Sequence, residues 1–220
     1  MEKYILIENK KFYYNEIELY HGRKKIDRNI AKENLLLYYS ILEKTNIVYG
    51  LLYGTLLGAL REKNFIKHDE DTDIFVLSEY KDEFLKLLYG LEELGLKLVR
   101  YNKGYLSIMR KNEYIDVYFL KAKKKFGFKK IRLVNNIDEI DARHFQVIDR
   151  IAFLGMNMPI PSNATELLVK TYGKNWETPI ENYNAVPNSF HVKILKKYPR
   201  LSQFIGYAFI AKIYKKILYK

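Results

Sequence analysis

The sequence predicts an α+β fold in which a mixed β-sheet is flanked by helices and followed by a helical C-terminal appendage. Three observations predict it. Helical and strand-like apolar patterns alternate through the first hundred residues. Consecutive strands then follow with no helix between them. Beyond Glu181 there are no acidic residues, and helix-like patterns return. A chain of 220 residues, 48% of them hydrophobic, can bury the core such a sheet needs. The expected organisation is a body over residues 1–180 and a basic helical extension over 181–220.

Residues 3–20 read as a pair of short strands or as a strand and an irregular arm. From Arg28 to about Lys44, Ile30, Leu36, Leu37 and Ile41 recur at near-helical spacing and predict an amphipathic helix. Ile47 to Tyr53 reads as a short apolar strand ending at Gly54, and Thr55 to Glu62 as a short helix with Gly54-Thr55 at its first turn. Ile74 to Leu77 is the next strand. Ser78 then serves as the expected N-cap of a helix from Glu79 to Leu94, with Gly95 as its stop.

Leu96–Tyr101, Tyr105–Met109 and Tyr114–Leu120 read as successive strands, divided by Asn102-Lys103-Gly104 and Lys111-Asn112. The basic run from Lys121 to Lys130 reads as a solvated loop or hairpin edge. The last third holds candidate helices at Thr165–Tyr172, Phe190–Lys197 and Gln203–Leu218.

Composition excludes several classes. With no cysteine there are no disulfides and no thiolate chemistry, and His, Asp and Glu remain as metal ligands. The N-terminus shows no apolar h-region, and the uncharged run from Thr45 to Leu60 is too short to cross a bilayer. A cytoplasmic location is therefore the expectation.

The formal charge of +12 is uneven: after Glu181 there is no acid, while Lys193, Lys196, Lys197, Arg200, Lys212, Lys215, Lys216 and Lys220 are basic. Such a tail is drawn to polyanions. Ile210, Ile213, Tyr214 and Ile217 fall on one helical side, and Lys212, Lys215 and Lys216 on the other. Two readings fit: a helix lying at a membrane surface, or one packed on its own domain. A basic nucleic-acid-binding module also fits the charge. No zinc pattern, RNA-recognition or helix-turn-helix signature accompanies it, so nucleic acid is not the expected partner.

The chemistry concentrates in YGTLLGALREKNFIKHDEDTDIFVL, Tyr53 to Leu77. Asp69, Glu70, Asp71 and Asp73 crowd into five positions and run into Ile74, Phe75, Val76 and Leu77. In extended chain Asp71 and Asp73 share a face, and two close carboxylates repel unless a cation lies between them. Mg²⁺ relieves that repulsion, typically with one or two protein carboxylates plus phosphate oxygens and water. Asp116 is a third carboxylate, set in the apolar strand YIDVYFL, where a charge is costly unless paired, at the strand end, or metal-bound. A glycine-hydroxyl turn, an Asp-x-Asp entering a strand and a later strand Asp form the order a nucleotidyltransferase-like site needs. A solvated acidic loop and an exposed strand Asp remain the competing reading.

The same stretch resembles the signature of the LicD family, to which the fukutin-type proteins are related. Later features occur in order: Ile115-Asp116-Val117-Tyr118, Pro161-Ser162-Asn163, and the spacing of Leu168, Tyr172, Gly173 and Trp176. The resemblance covers roughly residues 30–180. Glu70 and Thr72 stand where Asp and Ile are commoner, and the Asp71/Asp73 pair is intact. No counterpart is identified beyond about Thr178.

The resemblance implies a nucleotidyltransferase-like fold and a phosphotransferase that moves an alcohol phosphate, such as phosphocholine or ribitol phosphate, from a CDP-linked donor to a sugar hydroxyl. Asp71 and Asp73 would hold Mg²⁺ or Mn²⁺, with Asp116 as third ligand or as base. Gly54 and Thr55, with Tyr53 before them, would cradle a phosphate that Arg61 neutralises. Arg61 fits equally a structural pair with Glu62 or Asp69. His68 and Lys170 are phosphate candidates, and Tyr172 and Trp176 candidates for stacking on a base or a choline-like cation. His68, Tyr172 and Trp176 each fit a structural role as well. The acceptor would be a glycan, lipid-linked if the basic tail holds the enzyme at a membrane such as the inner face of the cell membrane. A nucleotidyltransferase proper, adding NMP to a small molecule or protein, would use the same three aspartates.

Overall fold

The computed structural model of the chain describes residues 2–19, 24–102, 104–124, 131–134 and 139–179. It divides into two units, residues 1–164 and 165–220. The expected helices Phe190–Lys197 and Gln203–Leu218, and with them the basic extension, lie outside the described residues.

Within the first unit the order is β1 (Glu2–Ile7), β2 (Lys10–Asn15), α1 (Arg28–Leu42), β3 (Tyr49–Leu51), α2 (Tyr53–Arg61), β4 (Thr72–Leu77) and, after a 3₁₀ turn, α3 (Lys81–Glu93). Then come β5 (Lys97–Tyr101), β6 (Tyr105–Arg110), β7 (Glu113–Lys124), β8 (Ile131–Val134), β9 (Glu139–Asp141), β10 (Ile148–Phe153) and β11 (Met156–Pro161). A last helix, α4 (Ala164–Tyr172), begins at the boundary between the units.

The fold is α+β around a mixed sheet, as expected. Its order is β3-β4-β7-β6-β5, with β4 and β7 parallel and the other pairs antiparallel. The far half of β7 pairs with β8, which pairs with β9, so the basic run after Lys121 starts inside a strand. The parallel β4–β7 pair is what brings Asp73 beside Asp116.

The hairpins explain their own turns. β1–β2, β6–β7 and β10–β11 each close with two residues at positive φ: Glu8-Asn9, Lys111-Asn112 and Leu154-Gly155. Two consecutive positive φ values match the strand twist of a two-residue hairpin. A Phe and Tyr cluster ties helices to sheet. Tyr38 and Phe84 lie 6.1 Å apart, Phe84 and Phe119 5.8 Å, and Phe75 and Phe145 5.0 Å.

Two sequence expectations need correction. The buried face of α1 is Ala31, Asn34, Leu35, Tyr38 and Leu42, while Leu36 is exposed. The phase was hidden because polar Asn34 sits inside that face, where its amide donates to the carbonyls of Arg110 and Glu113 at the β6–β7 turn. Ser78 does not cap a helix; it opens a 3₁₀ turn without a side-chain cap, and α3 starts at Lys81. Gly95, at φ +84°, does end α3.

Gly50 sets how closely β3 and β11 approach. A methyl there would lie 2.5 Å from the Pro159 carbonyl oxygen and 2.7 Å from the Phe75 ring. Gly50→Ala should therefore destabilise the protein by about 1–3 kcal/mol, the usual cost of overpacking. A lowered urea midpoint with an unchanged slope checks it.

Candidate active site

β3 is short because its chain turns at once into α2, and the turn is fastened to β4 through Asp73. The Leu52 N–H donates to the Asp73 carbonyl at 3.0 Å, and the Asp73 N–H donates to Thr55 Oγ1 at 2.8 Å. The Gly54 N–H donates to Asp73 Oδ2 at 3.0 Å. Asp73 thus satisfies an orphan N–H at the start of α2, where the helix dipole also favours an anion. To make this turn, Tyr53 sits at φ +42°, a conformation that strains a bulky residue. The ring of Tyr53 meets Tyr118 edge-on, 5.1 Å between centroids.

Strand register does the rest. Asp73 on β4 lies opposite Asp116 on β7, and Asp116 lies opposite Ser107 on β6. A bulge in β5 between Leu98 and Arg100 puts Arg100 opposite Ser107. Bulges commonly re-aim a side chain in this way. The result is one polar row across an otherwise apolar sheet: the α2 turn, Asp73, Asp116, Ser107, Arg100.

Arg100 Nη2 donates to both Asp116 oxygens, at 3.0 and 2.7 Å, and Ser107 Oγ donates to Oδ1 at 2.5 Å. The Tyr118 hydroxyl stands 3.5 Å from Asp116 Oδ2. Asp73 and Asp116 are 6% and 4% exposed, and Asp71 just before β4 is half-buried.

These carboxyls are held above their usual range. For Asp71 the cause is burial, then the charges of Asp73 and Asp116. For Asp73 it is burial, then Asp69 and Asp116, opposed by the Gly54 N–H and Tyr118. For Asp116 burial outweighs the opposing Arg100 and Ser107. Burial beside these carboxylates also pushes the Tyr118 phenol well up, so it stays a neutral donor.

Buried acids that repel one another fit a cation in chemistry. Among the described residues, no three His, Asp or Glu side chains are gathered to hold a metal. A cation would take one or two of these carboxylates and complete its shell elsewhere.

Other expected site residues fall as follows. Gly54 and Thr55, expected to cradle a phosphate, are bonded to Asp73, and Thr55 is fully buried. Gly54 is glycine for a steric reason: a methyl there would crowd the Asp69 carboxylate. Asp69 also receives the Ile26 N–H on its carbonyl, so the rim of the acidic run is anchored.

Arg61 Nη2 donates to Glu62 Oε1 at 2.7 Å, the structural pairing of the two readings. His68 is exposed beside the acidic run. Lys170, Tyr172 and Trp176 belong to the second unit, where Lys170 pairs with Glu166 at 2.9 Å and Trp176 is buried.

Arg100, Ser107 and Tyr118 were not among the expected site residues. Ser107 inside YLSIM and Arg100 inside KLVRY are polar residues in apolar strands, which was the available signal.

Residues 46–163 match the family model described as LicD/FKTN/FKRP, nucleotidyltransferase domain. An uncharacterised protein of Rickettsia prowazekii (strain Madrid E) is 29% identical over 174 residues, which cover 76% of this chain and 62% of that protein. The human ribitol-5-phosphate transferase FKTN is 25% identical over 178 residues, covering 71% of this chain and 35% of FKTN. The chain thus spans less than two thirds of the length of either relative. Among solved structures, the lincomycin-bound lincosamide antibiotic adenylyltransferase LnuA matches at a TM-score of 0.44 and 16% identity, over 62% of this chain and 83% of that one.

Carboxyl groups raised in the folded chain favour folding at low pH, and that contribution is lost as pH climbs from the ordinary Asp value through the raised range. In EDTA the melting temperature should therefore fall as pH rises above the ordinary Asp range, and Asp73→Asn should flatten the fall. A wild-type melting temperature that rises with pH above the ordinary Asp range would contradict the electrostatics described here.

Proposed function

The chain belongs to the LicD/FKTN/FKRP nucleotidyltransferase-domain family. From that premise we propose that it is a metal-dependent phosphotransferase carrying an alcohol phosphate from a CDP-linked donor to a glycan hydroxyl. One observation carries the reading: Asp73 and Asp116 are buried side by side in strand register, with Asp71 at the mouth of the same strand. Such a site is unfavourable in itself and becomes favourable around a cation and the phosphates that come with it. The FKTN relative, named for ribitol-5-phosphate transfer, supports an alcohol phosphate as the group moved.

In this reading Asp71 and Asp73 hold Mg²⁺ or Mn²⁺, which supplies charge neutralisation on the donor pyrophosphate when bound. The α2 turn fixes Asp73 through Gly54 and Thr55, so the ligand carboxylate is preorganised. Asp116 serves as third ligand or as acceptor for the proton of the attacking hydroxyl. That hydroxyl oxygen bonds to the phosphorus bearing the alcohol, the bond from phosphorus to CMP breaks, and CMP leaves. His68, exposed beside the acidic run, would contact a phosphate of the donor. The basic extension would hold the enzyme beside a lipid-linked acceptor at a membrane surface. No described helix is long and apolar enough to cross one.

Asp71→Ala and Asp73→Ala should each lower transfer by a factor on the order of a hundred to a thousand or more while the far-UV spectrum stays unchanged. CMP release from a panel of CDP-linked alcohols, with Mg²⁺ and with EDTA, is the measurement. Pyrophosphate release from a nucleoside triphosphate instead would make the chain a nucleotidyltransferase. Near-normal turnover in either variant would remove the mechanism.

A further inference from the structure

Asp116 has two roles open to it in the reading above, cation ligand or hydroxyl acceptor, and its surroundings separate them. A carboxylate offers about four in-plane acceptor positions. Oδ1 already receives Arg100 Nη2 at 3.0 Å and Ser107 Oγ at 2.5 Å. Oδ2 receives Arg100 Nη2 at 2.7 Å and faces the Tyr118 hydroxyl at 3.5 Å. One weakly used position on Oδ2 is what remains.

Arg100 is itself fixed in place. Its Nε donates to Ser107 Oγ at 2.9 Å and its Nη1 to the Leu19 carbonyl at 3.4 Å. Its guanidinium carbon lies 4.8 Å from the centroid of the Tyr105 ring. The β5 bulge holds the backbone that carries it. A divalent ion approaching Asp116 would have to displace this guanidinium or share the carboxylate with it, and two positive charges so close repel. The contrast with the other acids is direct: among the described residues no Arg or Lys pairs with Asp71 or Asp73.

We propose that Arg100 is a positioning residue that withholds Asp116 from the cation and keeps its carboxylate as a fixed hydrogen-bond acceptor for the attacking hydroxyl. The proposal rests on the metal-dependent reading above. It assigns the cation to Asp71 and Asp73 and gives Ser107 a place in the same clamp.

The test is Mn²⁺ binding to the metal-free full chain by calorimetry, with no donor present, beside steady-state kinetics. Arg100→Gln frees Asp116 to join the ion, so Mn²⁺ should bind about tenfold tighter, the scale on which outer partners tune a metal site, while kcat falls and KM for the donor changes little. Asp116→Asn, which keeps shape and packing, should leave Mn²⁺ affinity within about twofold of wild type and still lower kcat. That second variant decides the matter even if Arg100→Gln does not fold. Mn²⁺ binding weakened about tenfold or more by Asp116→Asn would make Asp116 a ligand and overturn the proposal. Unchanged Mn²⁺ affinity and unchanged kcat in a folded Arg100→Gln would overturn it as well. A wild-type chain that binds no Mn²⁺ removes the metal-dependent reading itself, and the proposal with it.

Discussion

The side-by-side placement of Asp73 and Asp116 is the constraint on which the rest of the structure turns. Parallel pairing of β4 with β7 puts the two carboxylates in the same register, on strands whose axes lie about 4.8 Å apart. Both are buried, and burial raises the cost of each charge as well as their repulsion. Left alone, that arrangement would work against folding. The neighbouring elements can be understood as offsets to it, applied differently on the two sides.

On the Asp73 side the offset is a helix N-terminus. The chain leaves β3, passes through a strained Tyr53 and presents the Gly54 N–H to the carboxylate. Thr55 completes the fastening from below by accepting the Asp73 N–H. Dipoles and N–H groups lower the cost of the charge without cancelling it, which leaves Asp73 able to attract a cation. On the Asp116 side the offset is a full counter-charge. Arg100, turned onto Ser107 by the β5 bulge, pairs directly with that carboxylate. One acid of the in-register pair is therefore left wanting positive charge and the other already has it.

Much of this was legible in the residues. The alternation of helix and strand patterns placed β3 through β7, and the Asp-x-Asp entering an apolar strand marked the site. The Gly54-Thr55 turn was recognisable as special, but its partner was not. Sequence offers a phosphate or a carboxylate as equal takers of an N–H, and only strand pairing brings Asp73 within reach. Arg100 was hidden for a related reason: its place on Ser107 depends on a one-residue bulge that no periodicity announces. The face of α1 was misread because Asn34, a polar residue, lies at its centre. The β10–β11 hairpin escaped notice although Leu154-Gly155 was a fair signal for a two-residue turn.

The family assignment and the geometry meet at the acidic run, since the match over residues 46–163 contains both Asp-bearing strands. The central claim is that Asp71 and Asp73 form the cation site of this sheet. Its most direct test is anomalous scattering from crystals of the protein soaked in Mn²⁺. The account predicts a single strong peak bonded to carboxylate oxygens of Asp71 and Asp73, at the start of β4. A peak elsewhere, or none beside these carboxylates in well-ordered crystals, would contradict it.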